Sequence, residues 1–352
     1  MLMNDVLKKF SIEAELTPYG DGHINSTFKC PPFIMQRINT EVFKNPVKLM
    51  ENIENVTTHV KKKIAERGGD VNRETLTIIK TVDNQLYYTE NGNYYRVYKF
   101  IENAFTVNIT NDLHMIESAA EAIGRFQDML SDFPAETLFE TIVDFHNTPA
   151  RLGQLDDAVS KNLSGRLSEV SAELEFVEAR RNSVSAITAG IADGSVPLRV
   201  SHNDTKLNNI MFDNETRNGI CVIDLDTVMP GSFLYDYGDF LRFAGNTAAE
   251  DEKDLSKVTF SMDIFKAFTK GYLKAAGNSL TKSEIELMPD SIRLMTMECG
   301  MRFLADHING DIYFGISREG HNLDRARTQF KLVSEIESKI DEMREYIKSL
   351  LA

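Results

Sequence analysis

Val200-Ser201-His202-Asn203-Asp204-Thr205-Lys206-Leu207-Asn208-Asn209-Ile210-Met211-Phe212-Asp213 is followed by a polar turn over 214–219. Ile220-Cys221-Val222-Ile223-Asp224-Leu225-Asp226 comes next. The first run carries the spacing H-x-D-x-x-x-x-N. The second is a short apolar run that ends on an aspartate. An aspartate, an amide five positions on and a further aspartate at a strand end form the residue set that phosphoryl transfer needs. In that chemistry the protein does little covalent work; it aligns a hydroxyl with a γ-phosphate and neutralises developing charge. Asp204 would accept a hydrogen bond from the acceptor hydroxyl and take its proton. Asn209 would turn back to Mg²⁺, and Asp224 would bridge metal across the β- and γ-phosphates. Asp226 falls on the same side as Asp224 if the strand continues, where it would aid the metal or the loop. Lys206 faces either the γ-phosphate or solvent. His202 is read as shaping the loop rather than reacting.

The weight of this reading lies in combination. H-x-D alone is common by chance. H-x-D-x-x-x-x-N followed by I-D-x-D is much rarer. Here a β-rich half with G-x-G and a strand cation precedes it, in the order such a centre requires.

The 352 residues suffice for two lobes with cores of their own, and 42% apolar with 26% charged content is that of a soluble globular chain. A net charge of −14 counts against nucleic acid or an anionic membrane as the main partner. Cys30, Cys221 and Cys299 are far apart and suggest neither a disulfide framework nor a zinc pattern. Met1 to Phe10 lack the apolar segment of a signal peptide, and no apolar run reaches the roughly 18 residues of a membrane span. The expectation is a cytoplasmic protein, monomer or weak dimer, whose partners are small molecules.

The first hundred residues read as β-rich with one helix. Gly20-Asp21-Gly22-His23 lies between two strand-like runs; it is either an ordinary turn or a place where backbone amides approach phosphates. Arg37 ends the apolar run Phe33–Ile38, pointing inward to a phosphate or outward to solvent. A one-residue register shift would put Gln36 in its place. Pro46 opens a helix over 46–67, with Leu49, Met50, Ile53, Val56 and Val60 at helical spacing. Glu51 or Glu54 on its polar side is a candidate partner for Arg37. Asn91-Gly92 between aromatic runs signals a hairpin. After Phe100-Ile101-Glu102 the texture becomes helical: 111–131, one or two helices over 150–192, 262–276, 291–309 and 323–350. Met229–Ser232 reads as a turn. Glu298, Arg302 and Asp306 share one helix face, as a solvated ion-pair stripe or as an arginine held toward a polar pocket.

The chain resembles the aminoglycoside phosphotransferase and choline kinase-like superfamily, and within it the N-acetylhexosamine 1-kinases. The resemblance runs nearly end to end. It rests on Gly22-His23-Ile24-Asn25, Gln36-Arg37-Ile38-Asn39, Phe100-Ile101-Glu102, Phe145-His146-Asn147-Thr148-Pro149 and His202 through Asn209. It continues through Val222–Gly231, Arg302-Phe303-Leu304, Gly310–Phe314 and His321–Gln329. The catalytic pieces are common to the superfamily; the Gly-His-Ile-Asn, Gln-Arg-Ile-Asn and Asp-Leu-Asp-Thr-Val-Met-Pro-Gly runs belong more closely to the sugar 1-kinase branch.

The resemblance implies an α+β, bilobal protein-kinase-like fold: a β-rich nucleotide-binding lobe over 1–101 and a mostly helical lobe over 102–352. It implies ATP- and Mg²⁺-dependent transfer to the anomeric hydroxyl of GlcNAc or GalNAc. Asp204 is then the base, and Asn209 and Asp224 bind metal. Gly20, Gly22 and Arg37 attend the phosphates, and Phe100, Ile101 and Glu102 hold adenine. The sugar would lie among His23, Asp204, Arg302 and Tyr313, with Glu51, His202, Lys206 and Asp226 in support. A same-fold kinase of another sugar, an amino alcohol or an aminoglycoside is the alternative. The strand carries Arg rather than Lys, the Gly-rich loop lacks a third glycine and no A-P-E segment occurs, so a protein substrate is not expected.

Overall fold

The computed structural model describes residues 3–20 and 24–352. Its N-terminal part holds α1 (Met3–Lys8), β1 (Thr17–Pro18), β2 (Ser26–Cys30), β3 (Phe33–Ile38), α2 (Pro46–Glu66), β4 (Ile78–Ile79), β5 (Tyr88–Glu90) and β6 (Asn93–Lys99). The strands form one antiparallel sheet in the order β1-β2-β3-β6-β4, with β5 also on β6. Register places Gln36 opposite Arg96 and Arg37 opposite Tyr95. The β5–β6 hairpin turns on Asn91 and Gly92, with φ of 50° and 77°. Two successive left-handed residues give the turn whose twist matches its strands, and Asn-Gly adopts it at least cost.

Asn45 caps α2 by accepting from the Lys48 N–H at 3.1 Å, and Pro46 occupies the first turn, where no N–H is needed. Leu49, Ile53, Val56, Val60 and Ile64 form one buried stripe, each worth about 1.5–3 kcal/mol relative to exposure. That stripe belongs to the main core, which continues through Ile38, Tyr98 and Ile101 into the helical part. The opposite face of the sheet packs Met35 and Val97 against Val6, Leu7 and Phe10 in a separate small core. The sheet is therefore covered on both sides, and strand parity decides which residues look toward the rest of the molecule.

The C-terminal part is helical. It contains β7 (Ala104–Phe105), α3 (Leu113–Met129), α4 (Thr148–Lys161), α5 (Ser171–Glu178), α6 (Ala186–Asp193), β8 (Arg199–Ser201), β9 (Ile210–Asp213), β10 (Gly219–Val222), β11 (Met229–Gly231), α7 (Phe233–Ala244), α8 (Met262–Ala276), α9 (Lys282–Asn309) and α10 (His321–Leu351). β7, β9 and β10 form a three-stranded ladder, and β8 pairs with β11. These two ladders frame the decisive stretch: β8 ends just before His202, and β10 ends just before Asp224. Gly238 lets α7 lie against α9; a methyl group there would come within 2.5 Å of the Ser291 carbonyl oxygen. No helix among the described residues is long and apolar enough to cross a membrane.

Several local expectations change. Three short helices occupy the segment expected to hold one or two, because Asn162 adopts φ of 40° and ends α4. Met229–Gly231 is a strand rather than a turn. The strand after Ile220 does not continue through Asp226: β10 stops at Val222, Asp224 takes φ of 59°, and Leu225–Thr227 form a 3₁₀ turn. α9 starts at Lys282, earlier than expected, because Thr281 and Glu284 close a capping box and the helix accommodates Pro289.

Candidate active site

One buried side chain shapes the loop after β8. Asp236, on the first turn of α7, is fully buried. Its Oδ1 accepts from Ser201 Oγ at 3.0 Å and the Asn203 N–H at 2.7 Å. Its Oδ2 accepts from the His202 N–H at 3.0 Å and Gln127 Nε2 at 2.8 Å. Thr205 Oγ1 donates to the Asp236 carbonyl at 2.6 Å. Four donors on one carboxylate offset the cost of burying its charge, and they hold Asn203 at φ of 65°. The sequence shows Asp236 only as one of several carboxylates after Tyr235; its contacts are all long-range.

His146 supports the same loop from the other side. Its Nδ1 lies 2.8 Å from Glu298 Oε1 and its Nε2 lies 2.9 Å from the Asn203 carbonyl. Both partners are acceptors when Glu298 is ionised, so the geometry favours the doubly protonated ring, which donates to each. Burial opposes that charge, but the Glu298 carboxylate outweighs it and raises the pKa above 6.5.

Asp204 is half-buried. Its Oδ1 meets Lys206 Nζ at 2.5 Å. Asn209 Nδ2 donates to the Asp204 carbonyl at 2.8 Å, and Asn209 Oδ1 has no partner among the described residues. His202 Nε2 donates to the Ile223 carbonyl at 2.8 Å and its Nδ1 accepts from the Asp204 N–H at 3.3 Å, so the ring ties this loop to the segment that presents Asp224. The Asp224 carboxylate opens to solvent and makes no hydrogen bond among the described residues. The surrounding protein, and after it the charges of Asp226 and Asp204, push its pKa up to about 6. Asp204, Asn209 and Asp224 thus converge, with a surplus of negative charge on their open side.

Asp226 does not share that opening. It is 2% exposed and forms a bidentate pair with Arg96 of β6, itself 1% exposed. Gln36 Oε1 accepts from Arg96 Nε at 3.0 Å and Nη2 at 2.8 Å. Asn25 Nδ2 donates to Asp226 Oδ2 at 2.6 Å while Asn25 Oδ1 accepts the Asn39 N–H at 2.9 Å. Gln36 is therefore the β3 residue that faces this cluster. The expected place of Arg37 beside the phosphates is corrected: it leaves on the other face, is exposed, and donates to Ser26 Oγ at 3.1 Å. Neither helix glutamate pairs with it, since Glu51 meets Lys48 at 2.6 Å and Glu54 meets Lys80 at 2.8 Å. Arg96 carries no signal in the sequence, because nothing near it marks an arginine between aromatic residues as buried.

Gly22 and His23 lie outside the described residues; Gly20 is described, with φ of 78° and open space around it. In the crossing, Ile101 packs into the core while Glu102 is exposed. The Glu102 carbonyl accepts from Arg73 Nη2 at 3.3 Å. The backbone N–H and C=O of Ile101 have no partner among the described residues.

The ion-pair stripe on α9 does not exist. Glu298 turns to His146 and to Thr148 Oγ1, 2.7 Å away. Asp306 accepts the backbone N–H groups of Ile312, Tyr313 and Phe314 at 2.9–3.0 Å. Arg302, between them, has no hydrogen bond or ion pair among the described residues; its guanidinium lies 5.5 Å from the ring centres of both Phe145 and Phe314. It lines a cavity of about 370 Å³ with Tyr313, Arg151 and Asp306. Phe145 packs on His146, 4.6 Å between ring centres, which connects this cavity to the catalytic loop. A larger cavity of about 700 Å³ lies apart from these residues, near Arg67, Arg125 and Gly219, and its cations are paired with its own glutamates.

The chain is similar over nearly its whole length to solved structures of small-molecule kinases. With an aminoglycoside phosphotransferase from Alicyclobacillus acidocaldarius it shares 13% identity and a TM-score of 0.62, over 98% of this chain and 96% of the other. With a microcompartment-associated aminopropanol kinase the values are 12% and 0.64, over 97% and 98%. With the ADP-bound aminoglycoside phosphotransferase APH(2'')-Ib they are 14% and 0.56, over 95% and 99%. At such identities the likeness is one of fold, and it is the protein-kinase-like α+β fold expected. Residues 71–261, more than half of the sequence, match the family model described as the phosphotransferase enzyme family, and the chain belongs to that family.

Proposed function

We propose that the chain transfers the γ-phosphoryl group of ATP to the anomeric C1 hydroxyl of a free N-acetylhexosamine, giving the sugar 1-phosphate and ADP. The observation that carries the acceptor class is Arg302. A half-buried guanidinium that has no carboxylate partner among the described residues, beside Tyr313 and near Arg151, is a poor neighbour for an ammonium group. It suits a neutral polyol, whose ring and carbonyl oxygens need donors; each one buried unpaired costs about 1–3 kcal/mol. The runs shared with the sugar 1-kinase branch support the same reading.

In this mechanism Asp204 accepts the acceptor's hydrogen bond, orients the attacking oxygen and receives its proton. Lys206 balances the charge of Asp204 until the acceptor arrives. The free backbone groups of Ile101 support adenine recognition there, and the ADP in the solved APH(2'')-Ib structure supports ATP as co-substrate. The residues present fit Mg²⁺: Asn209 Oδ1 and the Asp224 carboxylate are hard oxygen donors with no partner among the described residues, in a surplus of negative charge. Mg²⁺ takes few protein ligands and completes its shell with phosphate and water. Bound there, it would neutralise phosphate charge. Asp226, locked by Arg96, fixes the segment that presents Asp224.

The test is ADP release over a panel of free sugars, choline, aminopropanol and an aminoglycoside. Turnover of GlcNAc or GalNAc with an acid-labile product supports the reading. Turnover confined to the amino compounds, or an acid-stable sugar phosphate, rejects it.

A further inference from the structure

α7 carries two buried aspartates one helical turn apart, and only one of them is used up. Asp236 gives both oxygens to the catalytic loop. Asp239, 6% exposed, accepts a single hydrogen bond, from Arg242 Nε to Oδ1 at 2.8 Å. Its Oδ2 has no donor among the described residues, yet it is not sealed from solvent. An oxygen open to solvent takes its hydrogen bond from water, and beside a reaction centre an acceptor hydroxyl can take that water's place and reproduce its bond.

The surroundings say what kind. Residues i and i+3 on a helix share a face. Asp239 therefore follows Asp236 along the side of α7 that meets the catalytic loop. It lies within electrostatic reach of Lys206, the ion-pair partner of Asp204, and of His146. Arg242, 7% exposed, pairs with Asp239 directly and reaches Glu250 at 3.5 Å. The negative charge of Asp239 is thus already answered by Arg242, with Lys206 and a protonated His146 ring adding to it. A further cation is not required, and a neutral O–H donor suits the open oxygen.

Building on the sugar-kinase reading above, we propose that Asp239 is a specificity-determining residue of the acceptor site. Its open Oδ2 accepts a hydrogen bond from a second hydroxyl of the acceptor, distinct from the one Asp204 orients. Such a site selects polyols over compounds with one hydroxyl. Arg242 is the positioning residue that holds the carboxylate.

The experiment measures kcat and KM of the wild type and of Asp239→Asn on the best sugar and on its monodeoxy analogues. The expected result is a rise of about tenfold or more in sugar KM, with the ATP KM unchanged. One deoxy analogue, lacking the hydroxyl read by Asp239, should lose its disadvantage in the variant while the others keep theirs. An unchanged sugar KM, or a loss spread evenly over all analogues, overturns the inference. If Asp239→Asn does not fold because Arg242 is left uncompensated, Asp239→Asn/Arg242→Met removes both charges and is read in the same way. If the wild type turns over no sugar, the proposed function fails on its own. Asp239→Asn is then measured on the acceptor that is turned over, and an unchanged KM there overturns the role of Asp239 as well.

Discussion

Arg96 and Asp226 are 130 positions apart and form a bidentate pair that solvent scarcely touches, 1% and 3% exposed at their side chains. The pair joins the N-terminal sheet to the turn that presents Asp224. Gln36 and Asn25 complete it, so each charged oxygen and most guanidinium hydrogens are bonded. Burial opposes the charge on Arg96, and Asp226 more than restores it. The cation that the sequence suggests at Arg37 stands instead at Arg96, on the neighbouring strand of the sheet, facing a carboxylate rather than a phosphate.

Removing one member of such a pair leaves the other charge buried and alone, which costs about 3–5 kcal/mol. Arg96→Met should lower unfolding stability by that amount. Asp226→Asn in the same chain should recover much of it, because no uncompensated charge remains. Urea unfolding of the wild type, both single variants and the double variant measures the coupling. Additive losses would show that the two side chains do not act as a pair.

Asp204→Asn should reduce kcat by about 10²–10⁴, the range typical of a positioned general base. ATP binding, followed by titration calorimetry, should be close to that of the wild type, because Asn209 and Asp224 keep their oxygens. A variant with wild-type turnover would remove Asp204 from the role of base.

Asp236→Ala takes one carboxylate from four donors at once, two of them backbone N–H groups in the catalytic loop. Hydrogen bonds to a charged group are worth about 1.5–3 kcal/mol each, and abandoned donors add to the loss. The expected cost is at least about 3 kcal/mol in stability, with kcat falling even where the variant is fully folded. Melting curves and turnover on the folded fraction separate the two effects. An intact kcat would mean that the loop keeps its shape without the clamp.

What the sequence reveals follows from the range of each interaction. Asp204, Asn209 and Asp224 are legible because their spacing is local and chemically unusual. The Asn91-Gly92 hairpin is legible because only certain residues tolerate successive positive φ. Arg96 is not legible: it lies in Tyr94-Tyr95-Arg96-Val97-Tyr98, and its reason for burial is on another element. Arg37 and Gln36 differ only in strand parity, which the partner strand settles. Arg302 carries the opposite lesson. Its helical spacing from Glu298 and Asp306 suggests ion pairs, but His146 and the 312–314 backbone claim both carboxylates first.

His146 makes a prediction in pH. Its ring donates to Glu298 and to the Asn203 carbonyl, and both bonds need the protonated form. Burial works against this charge, and Glu298 outweighs burial, so the folded pKa is raised above 6.5. A group with a raised folded pKa adds its full stability below the unfolded value and loses it as pH climbs through the folded one. The stability advantage of the wild type over His146→Gln should therefore be greatest below pH 6.5 and shrink from there upward. Chemical unfolding of both proteins from about pH 5.5 to about pH 9 checks this. Loss of the proton also frees one of the two ring nitrogens from donating, so the Asn203 carbonyl or Glu298 loses its partner. Turnover should then decline over the same interval in which the stability difference shrinks. A difference in stability that stays constant with pH would show that the neutral ring supports the catalytic loop equally well.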